Sequence, residues 1–157
     1  MPTLDDVYRK YGEVSEAAQL LETELGTMLF KNSAIETDLI VNPNPEKATE
    51  IYNKINKHTL GQLINKLGKK ETGISQLAIL LDQALKVRNK LAHSFYLQHN
   101  LRRNSDQGCA VMLDDLNGMH DQLLDAYKAV MLLQGVDLEA LATEEGAAPQ
   151  PAGHLRI

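Results

Sequence analysis

The sequence has few aromatic residues and no tryptophan, so its core must be built mainly from aliphatic side chains. Aromatic residues make up 4% of the 157 residues, while hydrophobic residues as a whole make up 43%. An apolar content of that size supports a packed core and argues against a disordered chain. A core of Leu, Ile, Val, Ala and Met suits the packing of helices, and the length fits one domain.

Cysteine and long apolar runs are also scarce. Cys109 is the only cysteine, which excludes an internal disulfide or a zinc site built on several cysteines and fits a reducing compartment. The residues from Met1 to Asp6 lack the basic and apolar regions of a signal peptide. No apolar run reaches the length of a membrane span. The sequence therefore predicts a cytoplasmic protein with no membrane partner.

The sequence motifs of common enzymes are missing. There is no phosphate-binding Gly-Lys-Ser/Thr loop, no Gly-x-Ser-x-Gly elbow, no His-Glu-x-x-His motif and no EF-hand loop. The histidines are scattered, so the sequence predicts neither a metal nor a cofactor. His120, next to Met119, is expected at the surface or boundary of its helix. The pair Asp114-Asp115 is expected in the first turn of the last helix, where acids interact with the helix dipole.

Charge is distributed unevenly along the chain. The net charge is −5, yet residues 51–105 hold ten lysines and arginines against only Glu71 and Asp82. The acidic excess therefore lies in the flanking parts. Such a basic middle fits a local anion-binding surface, and the alternative is a set of solvated helix faces.

Heptad spacing of apolar residues predicts long helices near both ends of the chain. The first begins at a capping box formed by Thr3 and Asp6 and extends to about Phe30. The last uses apolar positions from Met112 onward and ends at Gly135. Strict heptads fit either packing within one chain or an apolar seam that faces a second subunit.

The middle of the chain predicts two further helices, the first of them broken. Asn44 and Pro45 are a good N-cap and first helical residue. Thr59 with Gln62 forms a second capping box, so we expect a kink or a new helix there, ended by Gly68. The next helix begins near Gly73 and ends between positions 93 and 100. Residues 102–108 are polar and predict a loop.

These elements predict an all-α fold, an up-and-down four-helix bundle with a broken second helix. Residues 1–136 form its single domain. Residues 137–157 are rich in Ala, Pro, Gly and Glu and have no periodicity, which predicts a mobile C-terminal tail.

Arg88 stands where an apolar side chain is expected. A guanidinium on the core-facing side of a helix is costly unless something pairs with it or the seam opens onto a cleft. The apolar face that it interrupts runs through Ile74, Leu77, Leu81, Ala84, position 88, Leu91 and Phe95.

The run from Arg88 to Tyr96, RNKLAHSFY, resembles the active-site motif of the HEPN superfamily. That motif has an arginine, a polar residue and, after four to six intervening positions, a histidine, on a compact helical bundle. The resemblance covers this nonamer and the all-helical architecture. It implies an HEPN-like bundle in which Arg88 and His93 are catalytic and Asn89 is the supporting polar residue.

Many HEPN proteins are metal-independent endoribonucleases that dimerise, and some are toxins or defence effectors. The resemblance therefore implies RNA as substrate, a homodimer, and an antitoxin protein as a further partner. His93 suits general acid–base work near neutral pH, and Arg88 suits a phosphate. By their proximity to the motif, the expected RNA phosphate contacts are Lys86, Lys90, Arg102 and Arg103.

Helix geometry constrains this hypothesis. Residues five apart on an ideal helix point about 140° away from each other, so Arg88 and His93 do not share a face, whereas Asn89 and His93 do. A bend or a second subunit must complete the site. Some HEPN toxins have a tyrosine two residues after the histidine, which a partner nucleotidyltransferase modifies. Here Phe95 stands there, and Tyr96 either lines the site or is an ordinary residue at a bundle edge.

Two alternatives stay open from the residues alone. In the first alternative, the chain is a non-catalytic HEPN-like module that binds a nucleotide, RNA or a protein partner, and Arg88 is an anchor for an anion. In the second, the chain is a structural bundle in which Arg88 pairs with a buried carboxylate.

Overall fold

The computed structural model describes the backbone of residues 1–70 and 74–144, and the side chains of residues 1–68 and 77–141. Within those ranges every regular element is helical, which confirms the predicted all-α class. The elements are α1 (Leu4–Glu36), α2 (Pro45–Ile55), α3 (Leu60–Lys70), α4 (Ile74–His93), α5 (Phe95–His99), a 3-10 helix (Asn100–Asn104), α6 (Asp106–Leu133) and α7 (Leu138–Glu144).

Side-chain caps set the starts of the first three helices. The Thr3 hydroxyl accepts the Asp6 backbone N–H at 3.3 Å, and the Asp6 carboxylate accepts the Thr3 N–H at 2.9 Å. Asn44 caps α2 through its side-chain oxygen. At α3 the Gln62 side chain accepts the Thr59 N–H at 2.9 Å. The predicted break between α2 and α3 is therefore confirmed.

The two long helices carry the centre of the core. α1 and α6 share the most extensive packing in the molecule, and α3 and α4 close the core beside them. The heptad seams of α1 and α6 are used inside the chain, because their residues are fully buried there without a second subunit. These residues are Val7, Val14, Leu21, Leu116, Leu123 and Val130.

The predicted loop at residues 102–108 is wrong. A 3-10 helix occupies its first part, and α6 already begins at Asp106, with the Ser105 hydroxyl accepting the Gly108 N–H at 3.1 Å. The polar composition hid an N-cap serine followed by a first-turn acid. As a result Asp115 lies well inside α6 and not in its first turn, which corrects the sequence interpretation of this residue.

The predicted C-terminal tail starts with α7, where the Asp137 carboxylate accepts the N–H groups of Glu139 and Ala140 at 3.1 Å. Residues 145–157 of the predicted tail, and Gly73 as the predicted start of α4, lie outside the described residues. In the part of the chain that the structure describes, no helix is long and apolar enough to cross a membrane.

Candidate functional site

Arg88 lies where α4 meets α1, at the edge of the buried face and not on it. Val87 is 8% exposed and takes the core position that the periodicity had assigned to Arg88. The Arg88 side chain is 27% exposed, and its Nε donates to Glu22 Oε1 at 3.1 Å. Its Nη1 donates to Asn89 Oδ1 at 3.4 Å. The charge is thus paired within the chain and still reaches solvent.

Asn89 and His93 are exposed and one turn apart on α4, so they lie on the same side of the helix. α4 ends at His93, and the chain enters α5 after Ser94. Arg88 and Asn89 are in contact, but in the described residues no hydrogen bond joins Arg88 to His93. The polar strip at the end of α4 is defined here by Arg88, Asn89 and His93, of which Arg88 contacts Asn89 and Asn89 shares a helix face with His93.

Two of the predicted phosphate contacts on α4 already hold carboxylates. Lys86 Nζ lies 2.8 Å from Asp82 Oδ2 on the exposed surface. Lys90 Nζ donates to both oxygens of Asp115, at 2.8 and 2.7 Å. Each lysine is therefore largely neutralised by a neighbour in this structure.

Arg102 belongs to a partly buried polar network around His99, which sequence reasoning missed. Its Nη1 donates to His99 Nδ1 at 3.0 Å, and His99 Nε2 lies 2.7 Å from Asp115 Oδ2. A guanidinium can only donate, so Nδ1 accepts and the ring proton sits on Nε2, facing Asp115. His99 is 4% exposed, so this histidine is a buried residue that supports the fold.

Asp115 joins that network to Lys90. Burial raises the pKa of its carboxyl, but hydrogen bonds from Lys90 and His99, together with the positive charge of Lys90, outweigh burial and hold the pKa below its ordinary value. Asp115 therefore stays ionised and accepts from both partners. No local sequence pattern marks this pairing, since the partners lie 25 and 16 residues away.

Arg103 is the fourth predicted phosphate contact. It is exposed on the 3-10 helix, and its backbone carbonyl accepts from Cys109 Sγ at 3.8 Å. The structure thus brings Lys90 and Arg102 together around Asp115 and His99, and leaves Lys86 and Arg103 on the surface.

Tyr96 packs onto α1 through an aromatic cluster. Its ring centroid lies 5.2 Å from that of Tyr11 and 6.3 Å from that of Tyr8, and the side chain is 37% exposed. Burial, then the neighbouring Tyr11 and Tyr8, raise the pKa of Tyr96, so it keeps its proton at neutral pH. The Tyr11 hydroxyl donates to the Leu91 carbonyl at 2.8 Å and ties α1 to α4.

His120 corrects the sequence prediction of a surface or boundary residue. It is 1% exposed, and Lys10 Nζ lies 2.8 Å from its Nδ1. The ammonium group can only donate, so Nδ1 accepts. A polar partner on α1, out of reach of any sequence pattern, allows this imidazole to be buried.

A cleft of about 490 Å³ opens between α1, α2 and the start of α3. Glu22, the partner of Arg88, is one of its walls, so the cleft lies directly beside the polar strip. Its other walls include Gly26, Phe30, Tyr52 and His58. Sequence reasoning missed this cleft, because its residues come from three separate helices.

Among the side chains that the structure describes, no group of three or more His, Cys, Asp or Glu residues is arranged to hold a metal ion. No family model, curated protein or solved structure gives a significant match to the chain.

Proposed function

We propose that the protein is a metal-independent endoribonuclease of the HEPN type, acting in the cytoplasm as a toxin or defence effector. In this proposal the helices form a four-helix bundle with a broken second helix, and Arg88, Asn89 and His93 are the catalytic centre. The observation that carries the proposal is the solvent-reachable strip at the end of α4, in which the Asn89 amide holds the Arg88 guanidinium.

The chemistry follows from the residue types. His93 accepts the proton of a ribose 2′-hydroxyl, whose oxygen attacks the adjacent phosphorus. The bond to the 5′-oxygen breaks, that oxygen takes up a proton, and a 2′,3′-cyclic phosphate remains. Glu22 engages Nε of Arg88 and Asn89 engages Nη1, which leaves Nη2 to approach the phosphate oxygens as charge builds.

A second copy of the chain completes the site in this proposal. Arg88 and His93 point about 140° apart along an ideal helix, so one chain does not direct both at the same phosphate. An isologous dimer in which two α4 helices face each other supplies Arg88 from one copy and His93 from the other.

One observation favours a second candidate, a non-catalytic HEPN-like module that binds a nucleotide, RNA or a protein partner. The Glu22 carboxylate 3.1 Å from Arg88 already offsets the charge that a transition state would use. In that case Arg88 organises the α1–α4 contact and the exposed strip is only a binding surface.

The test is cleavage of total RNA by purified protein in EDTA. We expect His93→Ala and Arg88→Met each to lower the rate at least about 100-fold, because removal of a general acid–base or of a charge-stabilising group costs that much. Gln83→Ala, exposed on the same helix, is the matched control and should leave the rate unchanged.

Cleavage that survives His93→Ala contradicts the enzyme proposal. A wild-type protein that does not cleave but binds RNA or nucleotide in an Arg88-dependent way supports the second candidate instead. Melting temperatures of all variants separate lost activity from lost folding.

A further inference from the structure

We propose that the cleft beside Arg88 binds an unpaired nucleobase with an exocyclic amino group, such as adenine, as a base-binding subsite of the ribonuclease. The assignment to RNA rests on the proposed function, while the preference for such a base rests on the cleft itself. A volume of about 490 Å³ lies within the range of pockets that enclose small organic ligands.

The cleft has an aromatic wall suited to a flat ring. Phe30 and Tyr52 both line the cleft and meet edge to face with centroids 6.4 Å apart, and Tyr52 is 55% exposed. One helical turn before Phe30 on α1, Gly26 contributes no side chain, and a Cβ there would only touch Ile55 Cγ2 at 3.4 Å. Bases stack on such rings without regard to sequence.

Several polar groups of the cleft are fixed as hydrogen-bond acceptors, while the amides of Gln19 and Asn56 can turn either a donor or an acceptor toward a ligand. His58 Nδ1 lies 3.1 Å from the Ile55 carbonyl, so Nδ1 carries the proton and Nε2 of the neutral ring is an acceptor. The Thr23 and Thr27 hydroxyls donate to backbone carbonyls of α1 at 2.9 Å, which leaves their lone pairs facing outward. Glu22 adds a carboxylate. Acceptors of this kind match an exocyclic amino group and do not match the carbonyl that replaces it in uracil.

The charge of the cleft places the phosphate outside it. Glu22 is the only formally charged residue among those that line the cleft, and its charge is negative. Arg88 lies beside this wall, with its Nε 3.1 Å from the Glu22 carboxylate. A base in the cleft therefore directs its sugar-phosphate toward Arg88, the group that the proposed reaction needs.

The test is isothermal titration calorimetry of the full chain with adenosine monophosphate, uridine monophosphate and inorganic phosphate. We expect the adenine nucleotide to bind at least about tenfold more tightly than the other two, as expected from one stacked base with its amino group bonded. Gly26→Met fills the cleft and should weaken this binding at least about tenfold. Gly12→Met is the matched control on the same helix, where a Cβ meets nothing within 4 Å, and should bind as the wild type does.

Equal affinity for the two nucleotides, or adenine binding that survives Gly26→Met, overturns the proposal. Binding with no RNA cleavage in the wild type leaves the cleft assignment standing and sinks the proposed function. If the wild type cleaves RNA but Gly26→Met does not change nucleotide binding, the cleft assignment is overturned and the proposed function stands. A competition titration with oligoadenylate identifies the source of the base. If oligoadenylate fails to displace adenosine monophosphate, the cleft binds free nucleotide and not RNA.

Discussion

At the scale of single residues, Asp115 is an acid whose ionised form stabilises the fold. It holds Lys90 and the buried His99 at once, at 2.7 Å each. We expect Asp115→Asn to lower the free energy of unfolding at pH 7 by about 1–2 kcal/mol, because hydrogen bonds to a charged group are lost at a partly exposed site. Urea unfolding followed by circular dichroism measures the difference.

The pH dependence of this difference has a definite sign. The folded state lowers the pKa of Asp115, so its stabilisation is present above the ordinary aspartate pKa and is lost as pH falls through the lower folded value. The difference in the free energy of unfolding between the wild type and Asp115→Asn should therefore become smaller below about pH 4. Asp114→Asn, exposed and adjacent, is the control that should show little change. A gap of the same size at pH 3 and pH 7 would sink this assignment.

Single residues also show which parts of the candidate site could be predicted. Arg88 stood out because it broke an apolar period, and that pattern is local in sequence. Its partner Glu22 is 66 residues away, so nothing near either residue marks the pair. The same limit explains His99 and His120, whose partners Asp115 and Lys10 lie 16 and 110 residues away.

At the scale of the helices, caps predicted starts well, because a cap is a bond between residues three apart. Thr3, Asn44 and Thr59 each cap the helix that they were predicted to begin. Helix ends were less predictable. α1 was expected to end at about Phe30 but continues to Glu36, because residues 31–36 contain no Gly or Pro that would end the helix. The start of α6 was missed because Ser105 lies in a polar stretch that lacks an apolar period.

The junction between the 3-10 helix and α6 depends on Gly108. A Cβ at this position would collide with the backbone carbonyl of Arg102, which cannot rotate away. We expect Gly108→Ala to destabilise the protein by about 2 kcal/mol, since overpacking against the backbone outweighs the gain in helix propensity. The shift of the urea midpoint measures it.

Gly118→Ala is the matched control on the same helix. A Cβ there meets nothing within 4 Å, so this change should stabilise the protein by about 1 kcal/mol through propensity alone. If the two variants behaved alike, the backbone of the 3-10 helix would not lie against Gly108 as described.

At the scale of the whole molecule, the proposed dimer requires a surface that a second copy of the chain could cover. The apolar seams of α1 and α6 are used inside the chain, so they offer no interface. Near His93, however, Leu97 is 79% exposed and Leu101 72% exposed, with Tyr8 on α1 at 49%. An exposed apolar patch beside the polar strip is the kind of surface that dimers cover.

This arrangement leads to a complementation prediction. Arg88→Met and His93→Ala should each be inactive alone, but an equal mixture should regain about a quarter of wild-type ribonuclease activity if each site combines Arg88 of one copy with His93 of the other. After random exchange half of the dimers are mixed, and one of the two sites in a mixed dimer has both wild-type residues.

The control is the double variant Arg88→Met/His93→Ala mixed with either single variant, where no dimer has a complete site. Differently tagged subunits must first be shown to co-purify, so that exchange is established independently of activity. Mixed dimers that stay inactive would mean that no site pairs Arg88 and His93 across subunits. Arg88 and His93 both lie on α4, before the break at Ser94, so a site within one chain would then require the long Arg88 side chain to reach around the helix toward His93. The exposed residues around Leu97 would in that case have no part in catalysis.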